Sequence, residues 1–207
     1  MMFRGNSSIF HKPHLLAVEG DDDFYFFVEV LKTLNIETVQ IHCLEGVDGL
    51  TTKLRTMTKT PGFSEVSRLA GLVDSDNDPS GRQQSIRTAL GHAALPVPVS
   101  CDVLVGDQRQ VKYSTIPGPN TTGCLEKLLI QSLAAEATAT CVDRFLNCCH
   151  LPIAQGSSRW EKAWLHSFLS TFPNPGLKLG EATRAGYIDL SHLSFTGVRQ
   201  FVQSLSA

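Results

Sequence analysis

Two short apolar segments that end in acidic residues constrain the fold of this chain more than any other feature. Glu19 directly follows residues 14–18, and Asp74 directly follows residues 68–73. Apolar runs of this length, bounded by turn residues, are typical of strands that are buried on both faces of a parallel sheet. The sequence therefore predicts carboxylates at the ends of two buried strands.

The segments between these strands have helical periodicity, with apolar residues at three- and four-residue steps. Helices are predicted at residues 23–34, 47–59 and 81–90, and further strands at residues 38–44 and 111–116. Strands that alternate with helices form βαβ units. The sequence therefore predicts an α/β fold in which a mainly parallel sheet is flanked by helices.

The pattern divides the chain into three parts. Residues 1–13 are a polar lead-in, and residues 14–137 form the predicted α/β core. Residues 138–207 are mostly helical and are expected to pack on that core. Within the core, residues 102–105 and 111–116 flank a turn, which predicts a hairpin or a late pair of strands.

Composition narrows the class of partner. The net charge of −2 does not favour an extensive, sequence-independent grip on nucleic acid, which normally needs a basic excess. The net charge does not exclude a small acidic site that binds a phosphate through a metal ion. The six cysteines include no Cys-x-x-Cys pair, and neither a signal peptide nor an apolar run of about 20 residues is evident. We therefore expect a cytoplasmic protein with reduced thiols and no membrane contact.

Glu19 opens the first acidic group, in which Asp21, Asp22 and Asp23 follow Gly20. Aspartates in the first turn of a helix cap it and complement its dipole, for about 0.5–2 kcal/mol. One aspartate is enough for that purpose. Because the clustered carboxylates repel one another unless a cation lies among them, metal binding is predicted here as well.

The second acidic group begins where residues 68–73 end. If the strand continues, Asp74 and Asp76 point the same way, and such oxygen ligands suit Mg²⁺. The spacing also matches the start of a calcium-binding EF-hand loop, but Pro79 and Ser85 stand where that loop needs Gly and Glu. A solvated turn with Asx caps stays an alternative.

Glu126 is the third acidic candidate. It follows a loop rich in Pro, Gly and Asn and begins a predicted helix, a common place for glutamate. It also follows the predicted strand at residues 111–116. If that strand belongs to the same sheet, Glu126 can approach the other acids.

Taken in order, the three acidic groups resemble the Toprim domain. The matching stretches are Val-Glu-Gly-x-x-Asp at residues 18–23, Val-Asp-x-Asp at residues 73–76 and Gly-x-Leu-Glu at residues 123–126. The likeness is greatest to small stand-alone Toprim-like proteins of the DUF3226 type, above all in residues 116–129. It is more distant to the Toprim half of OLD-family nucleases.

The resemblance implies metal-dependent phosphodiester chemistry with Mg²⁺ or Mn²⁺ as cofactor. It gives Glu19 a part in metal binding or acid–base work, and it gives Asp74 and Asp76 metal binding, so these three are the expected catalytic residues. OLD-type relatives add acids that match Asp23 and Glu126, which implies two metal ions. The expected ligand set is Glu19, Asp23, Asp74, Asp76, Asp78 and Glu126.

Three functions compete on this basis. The first is a Mg²⁺-dependent nuclease acting on DNA or RNA. The second is a non-catalytic Toprim-like module that binds metal or nucleotide and acts with a partner such as an ATPase, since the sequence has no P-loop of its own. The third is a phosphatase of the haloacid-dehalogenase type, which uses Asp74 and Asp76 but gives no role to Glu19. Homo-oligomerisation is compatible with all three.

A nuclease site of this kind often has a cation near the negative charge that develops on the phosphate during cleavage. The candidates are Arg82, Lys127, Lys178 and Arg184.

Overall fold

Strands and helices alternate along the first two thirds of the chain. The structure, a computed structural model, describes residues 8–149 and 152–207, so residues 1–7 of the predicted lead-in lie outside the described residues. The strands are β1 (His14–Val18), β2 (Val39–Cys43), β3 (Arg68–Asp74) and β4 (Gln110–Ile116). The α-helices are α1 (Asp21–Thr33), α2 (Leu50–Thr58), α3 (Pro79–His92), α4 (Leu125–Leu133), α5 (Ala137–Cys148), α6 (Ser158–Leu169), α7 (Leu179–Arg184) and α8 (Thr196–Ser206).

The strands form one parallel sheet in the order β2-β1-β3-β4. This confirms the predicted α/β class. The chain moves from β1 to β2 on one side and then crosses back to build β3 and β4 on the other. Because βαβ crossovers are right-handed, this reversal places α1 on one face and α2 and α3 on the opposite face. In open α/β sheets, the carboxyl edge at such a reversal, here between β1 and β3, is where ligands bind.

Burial on both faces explains why the strands are apolar runs. In β1, Leu15 and Ala17 pack in the cluster formed with α2 and α3. Leu16 and Val18 pack in the larger cluster formed with α1 and the helices from α4 onward. Alternate residues of one strand therefore serve two separate hydrophobic layers.

The C-terminal helices contribute to the larger of these layers. The apolar faces of α5, α6 and α8 join the cluster that covers α1, and the Trp164 ring stacks on Phe168 at a centroid distance of 5.2 Å. The division of the chain at residue 137 stays a prediction. Among the described residues, no helix has the length and apolar character that crossing a membrane requires.

The strand does not continue to Asp76, so the condition for Asp74 and Asp76 to point the same way is not met. β3 ends at Asp74, and Asp76 has a φ of 48°. Between them, Ser75 is buried with its hydroxyl against the carbonyl oxygens of Ile116 and Gly123, at 2.9 and 3.1 Å. This contact turns the chain, so Asp74 and Asp76 are not related by strand alternation.

The predicted hairpin is reduced to a single antiparallel bridge between Val105 and Val111. The turn at Gly106 (φ 109°) brings the chain back beside β4. The Asp102 backbone N–H also donates to the Tyr113 carbonyl at 2.8 Å, so residues 102–105 lie beside β4 without forming a strand. β4 instead pairs with β3 in parallel along its whole length.

The contact between α1 and α7 leaves no space for a side chain at Gly180. A Cβ at this position would lie 2.1 Å from Tyr25 Cβ and 3.0 Å from Tyr25 Cα. We expect Gly180→Ala to lower the free energy of unfolding by about 1–3 kcal/mol, because the backbones must move apart. Urea denaturation measures this change.

Gly197→Ala in α8 is the matched control. A Cβ there meets nothing within 4 Å, so the variant is expected to be as stable as the wild type or more stable by up to about 1 kcal/mol. Equal destabilisation by both substitutions would contradict the packing described for Gly180.

Candidate metal centre

Acidic side chains from four elements meet at the carboxyl edge of the sheet between β1 and β3. Glu19 follows β1, Asp74 ends β3, Asp23 lies in the first turn of α1 and Glu126 in the first turn of α4. Glu19 Oε2 accepts a hydrogen bond from the Asp74 backbone N–H at 3.1 Å. The charges of Asp23, Glu19 and Glu126 all act on Asp74. Four of the predicted site residues are thus brought together.

Backbone amides hold two of these carboxylates in place. Asp74 Oδ1 accepts a hydrogen bond from the Leu125 N–H at 3.0 Å, at the start of α4. Asp23 Oδ2 accepts one from the Gly20 N–H at 2.8 Å, at the start of α1. Both carboxylates therefore lie at the positive ends of helix dipoles, and Asp23 has the capping role that its position in the first turn indicated.

Burial and mutual repulsion make these carboxyls hard to ionise. Burial, together with the charges of Asp23, Glu19 and Glu126, raises the pKa of Asp74 to about 9. Burial and the charges of Glu19 and Glu126 raise the pKa of Asp23 to about 7, against the hydrogen bond from Gly20. Burial likewise raises the pKa of Glu19 above its ordinary value. A cation among these groups would let them ionise together.

Asp74, Cys124 and Glu126 offer one ligand atom each, and these atoms lie within 4.8 Å of one another. The side chain of Glu126 is buried, and the Nζ of Lys162 lies 3.8 Å from its Oε1, which is too far for a hydrogen bond. A buried carboxylate without a cation at contact distance is costly. Two carboxylates and a thiol in this arrangement could hold a metal ion.

Asp76 and Asp78 have other partners. Asp76 Oδ2 forms a 2.7 Å ion pair with Arg82 Nη2, and its Oδ1 accepts a hydrogen bond from Ser158 Oγ at 3.1 Å. Asp78 is exposed and caps α3, since its Oδ1 accepts a hydrogen bond from the Gly81 N–H at 2.9 Å. The assignment of both as metal ligands stays a prediction.

Basic side chains border the acids. Arg82 reaches them through its ion pair, and Lys162 of α6 lies beside Glu126. Burial lowers the pKa of Lys162, but the surrounding acids, Glu126 first, bring it above its ordinary value. The charges of His166 and Lys178 act on the neighbouring Asp22. The acidic cluster therefore has a positively charged border.

Three residues near the cluster are not evident from acidic motifs. Cys124 Sγ donates a hydrogen bond to Glu161 Oε2 at 3.1 Å, and both side chains are buried. Glu161 and Lys162 come from α6, far along the chain from the acidic groups. The one signal in the sequence is that Glu161 lies on the apolar face of α6, one turn before Trp164.

Without metal, the protein is expected to lose stability as pH rises between about 4 and 9. The pKa of Asp74 is raised from 3.8 to about 9 and that of Asp23 from 3.8 to about 7, so the folded state binds more protons than the unfolded state in this window. The free energy of unfolding then falls with pH by at most about 1.4 kcal/mol per unit for each carboxyl. Urea denaturation in the presence of a chelator measures the slope.

Asp74→Asn should flatten this dependence, because the amide cannot ionise and its oxygen still accepts the Leu125 N–H. Asp107→Asn, at an exposed loop position, is the control and should keep the wild-type slope. An unchanged slope in Asp74→Asn would show that Asp74 is not the titrating group.

Comparison with protein families matches residues 13–207 to the family described as "Protein of unknown function (DUF3226)". Comparisons with curated proteins and with solved structures give no match. The likeness to the DUF3226 type is thereby confirmed, while the relationship to Toprim domains stays a prediction. Because the match extends over nearly the whole sequence, this chain belongs to the DUF3226 family.

Proposed function

We propose that this protein hydrolyses phosphodiester bonds in DNA or RNA with a divalent metal ion, Mg²⁺ or Mn²⁺, at the acidic cluster. The observation that carries the proposal is the convergence of Glu19, Asp74 and Glu126 at the reversal point of a parallel sheet. When bound, a divalent ion stabilises the charge on a phosphate and lowers the pKa of a water nucleophile.

Glu19 is the side chain best suited to move a proton. Its Oε2 is held by the Asp74 backbone N–H, and burial raises its pKa above the ordinary value. A carboxylate with a raised pKa is a stronger base, so it takes a proton from water more readily than an exposed glutamate does. Glu19 therefore serves as the general base in this proposal.

Arg82 and Lys162 supply the positive charge that an anionic substrate requires. They border the acids from α3 and α6, and the Lys162 side chain is 55% exposed, so it can reach a phosphate outside the cluster. A few local cations fit a chain with a net charge of −2 better than an extended basic groove does. These two cations would thus bind the substrate phosphate close to the scissile bond.

A phosphatase of the haloacid-dehalogenase type is less well supported. It would use Asp76 together with Asp74, yet both oxygens of the Asp76 carboxylate are engaged, by Arg82 and by Ser158. That function also has no use for Glu19, whose carboxylate is bonded directly to the Asp74 backbone.

A non-catalytic module that binds metal or nucleotide and acts with a partner ATPase is the second candidate. The pairing of Asp76 with Arg82 and Ser158 favours it. Since both carboxylate oxygens of Asp76 are engaged, this residue is not available for a second metal ion until those contacts break.

Nuclease assays test the proposal. Supercoiled plasmid, linear DNA and single-stranded RNA are incubated with the protein in Mg²⁺, in Mn²⁺ and in excess chelator. We expect metal-dependent cleavage, with Asp74→Asn and Glu19→Gln each lowering the rate by at least about 100-fold, because one loses a ligand charge and the other the base. Both amides keep a hydrogen-bond acceptor, so the fold should persist.

Asp107→Asn again serves as the control and should cleave at the wild-type rate. Cleavage that survives both site substitutions, or that needs no metal, would overturn the proposed site. If the wild type binds metal by calorimetry but cleaves none of the substrates, the partner-dependent module becomes the better explanation.

Lys162→Gln should separate metal binding from substrate binding. Removing the cation 3.8 Å from Glu126 is expected to tighten Mn²⁺ binding by up to about fivefold, because a competing positive charge is lost. The same change should lower kcat/KM for cleavage by about tenfold or more, because the substrate phosphate loses a partner. Calorimetry and cleavage kinetics measure the two effects.

Lys59→Gln, at an exposed position at the end of α2 on the opposite face of the sheet, is the control and should change neither quantity. A drop in both metal affinity and cleavage for Lys162→Gln would instead point to a structural role for this lysine.

A further inference from the structure

We propose that Cys124 is a metal ligand and that Asp74, Cys124 and Glu126 together bind a thiolate-accepting transition ion such as Zn²⁺ or Co²⁺. The inference rests on the proposed function in one respect, namely that a metal ion binds at the acidic cluster. It adds a ligand that acidic motifs do not include and a class of metal other than Mg²⁺.

One hydrogen bond links the two segments that carry these three side chains. Cys124 and Glu126 flank Leu125, whose backbone N–H holds Asp74 Oδ1 at 3.0 Å. The three ligand atoms lie within 4.8 Å of one another. Zinc binds oxygen and sulfur at about 2.0–2.3 Å, so the ligand atoms around it lie about 3–4 Å from one another. Movements of about 1 Å by these side chains would bring all three atoms within bonding distance of one ion.

The surroundings of the thiol differ from those of a structural cysteine. A buried structural thiol normally packs among apolar side chains. Cys124 is fully buried, but its neighbours are the carboxylates of Glu126 and Asp74, and its Sγ donates to the buried Glu161 at 3.1 Å. This hydrogen bond fixes the direction of the sulfur atom. Coordination would replace the S–H proton with the metal ion and release the proton to solvent.

The second observation is the Glu126 carboxylate itself. It is 8% exposed, and the nearest ion-pair partner stays 3.8 Å away. Among the described residues, no cation therefore lies within hydrogen-bond distance of this carboxylate, and it points into the group formed with Asp74 and Cys124. An ion held by all three would supply that charge.

The donor set selects the kind of metal. Mg²⁺ takes oxygen ligands, whereas a thiolate favours Zn²⁺, Co²⁺ and similar ions. Three protein ligands leave a fourth position for water or substrate, which is the pattern of catalytic rather than structural zinc sites. Glu19 and Asp23 offer only oxygen atoms. Within the cluster, these carboxylates would suit Mg²⁺, whereas the group that contains the thiol would suit Zn²⁺ or Co²⁺.

A Co²⁺ titration tests the inference. The three exposed cysteines, Cys141, Cys148 and Cys149, are first replaced by serine to remove adventitious thiol ligands. In this background we expect sulfur-to-cobalt charge-transfer absorption in the near ultraviolet. Cys124→Ser should abolish it and weaken Co²⁺ and Zn²⁺ binding by more than about tenfold, a larger loss than for Mg²⁺, which takes oxygen ligands.

Cys101→Ser is the matched control. Its thiol is half-buried beside Asp102, Tyr113 and Ser114, so this variant should keep the full absorption. Charge-transfer absorption that survives Cys124→Ser would overturn the inference.

Failure of the inference can be told apart from failure of the proposed function. If Co²⁺ binds with visible d–d absorption but no charge-transfer band, Cys124 is not a ligand, whereas the metal site remains. If neither Co²⁺ nor Mn²⁺ binds, both are overturned. Should Cys124→Ser fail to fold, X-ray absorption at the zinc edge of the Zn²⁺-loaded background protein decides, since a sulfur neighbour at about 2.3 Å is required.

Discussion

The two hydrogen bonds of Asp74 hold the candidate site together. Its backbone N–H donates to Glu19 after β1, and its carboxylate accepts the first amide of α4. One residue at the end of β3 thereby joins the two central strands to the helix that carries Cys124 and Glu126. The reversal of strand order between β1 and β3 creates the space in which these contacts form.

The same placement makes the site electrostatically unfavourable when it holds no cation. Carboxyls that are buried and adjacent stay partly protonated, as the raised pKa values of Asp74 and Asp23 indicate. Burying ionised carboxylates side by side costs free energy unless a cation offsets their repulsion. Perturbed carboxyls at a ligand-binding edge are typical of a functional site.

The sequence predicted the features that depend on local periodicity. The continuous apolar run of β1 indicates burial on both faces, so the strands, their parallel arrangement and the acids after them follow from the pattern. The conformation of Asp76 does not, because it is set by the contacts of Ser75 with Ile116 at the end of β4 and with Gly123 after it, which are distant in sequence. Glu161 is hidden for a similar reason: only the packing of α6 on the core brings it to Cys124.

The contribution of α6 bears on how the two predicted parts of the chain are related. Lys162 and Glu161 come from the C-terminal region, yet the former borders Glu126 and the latter orients the thiol of Cys124. Ser158 of the same helix bonds to Asp76. The acids of the α/β part and the α6 side chains that contact them therefore belong to the same candidate site. The family match also includes both parts of the chain, since it covers residues 13–207.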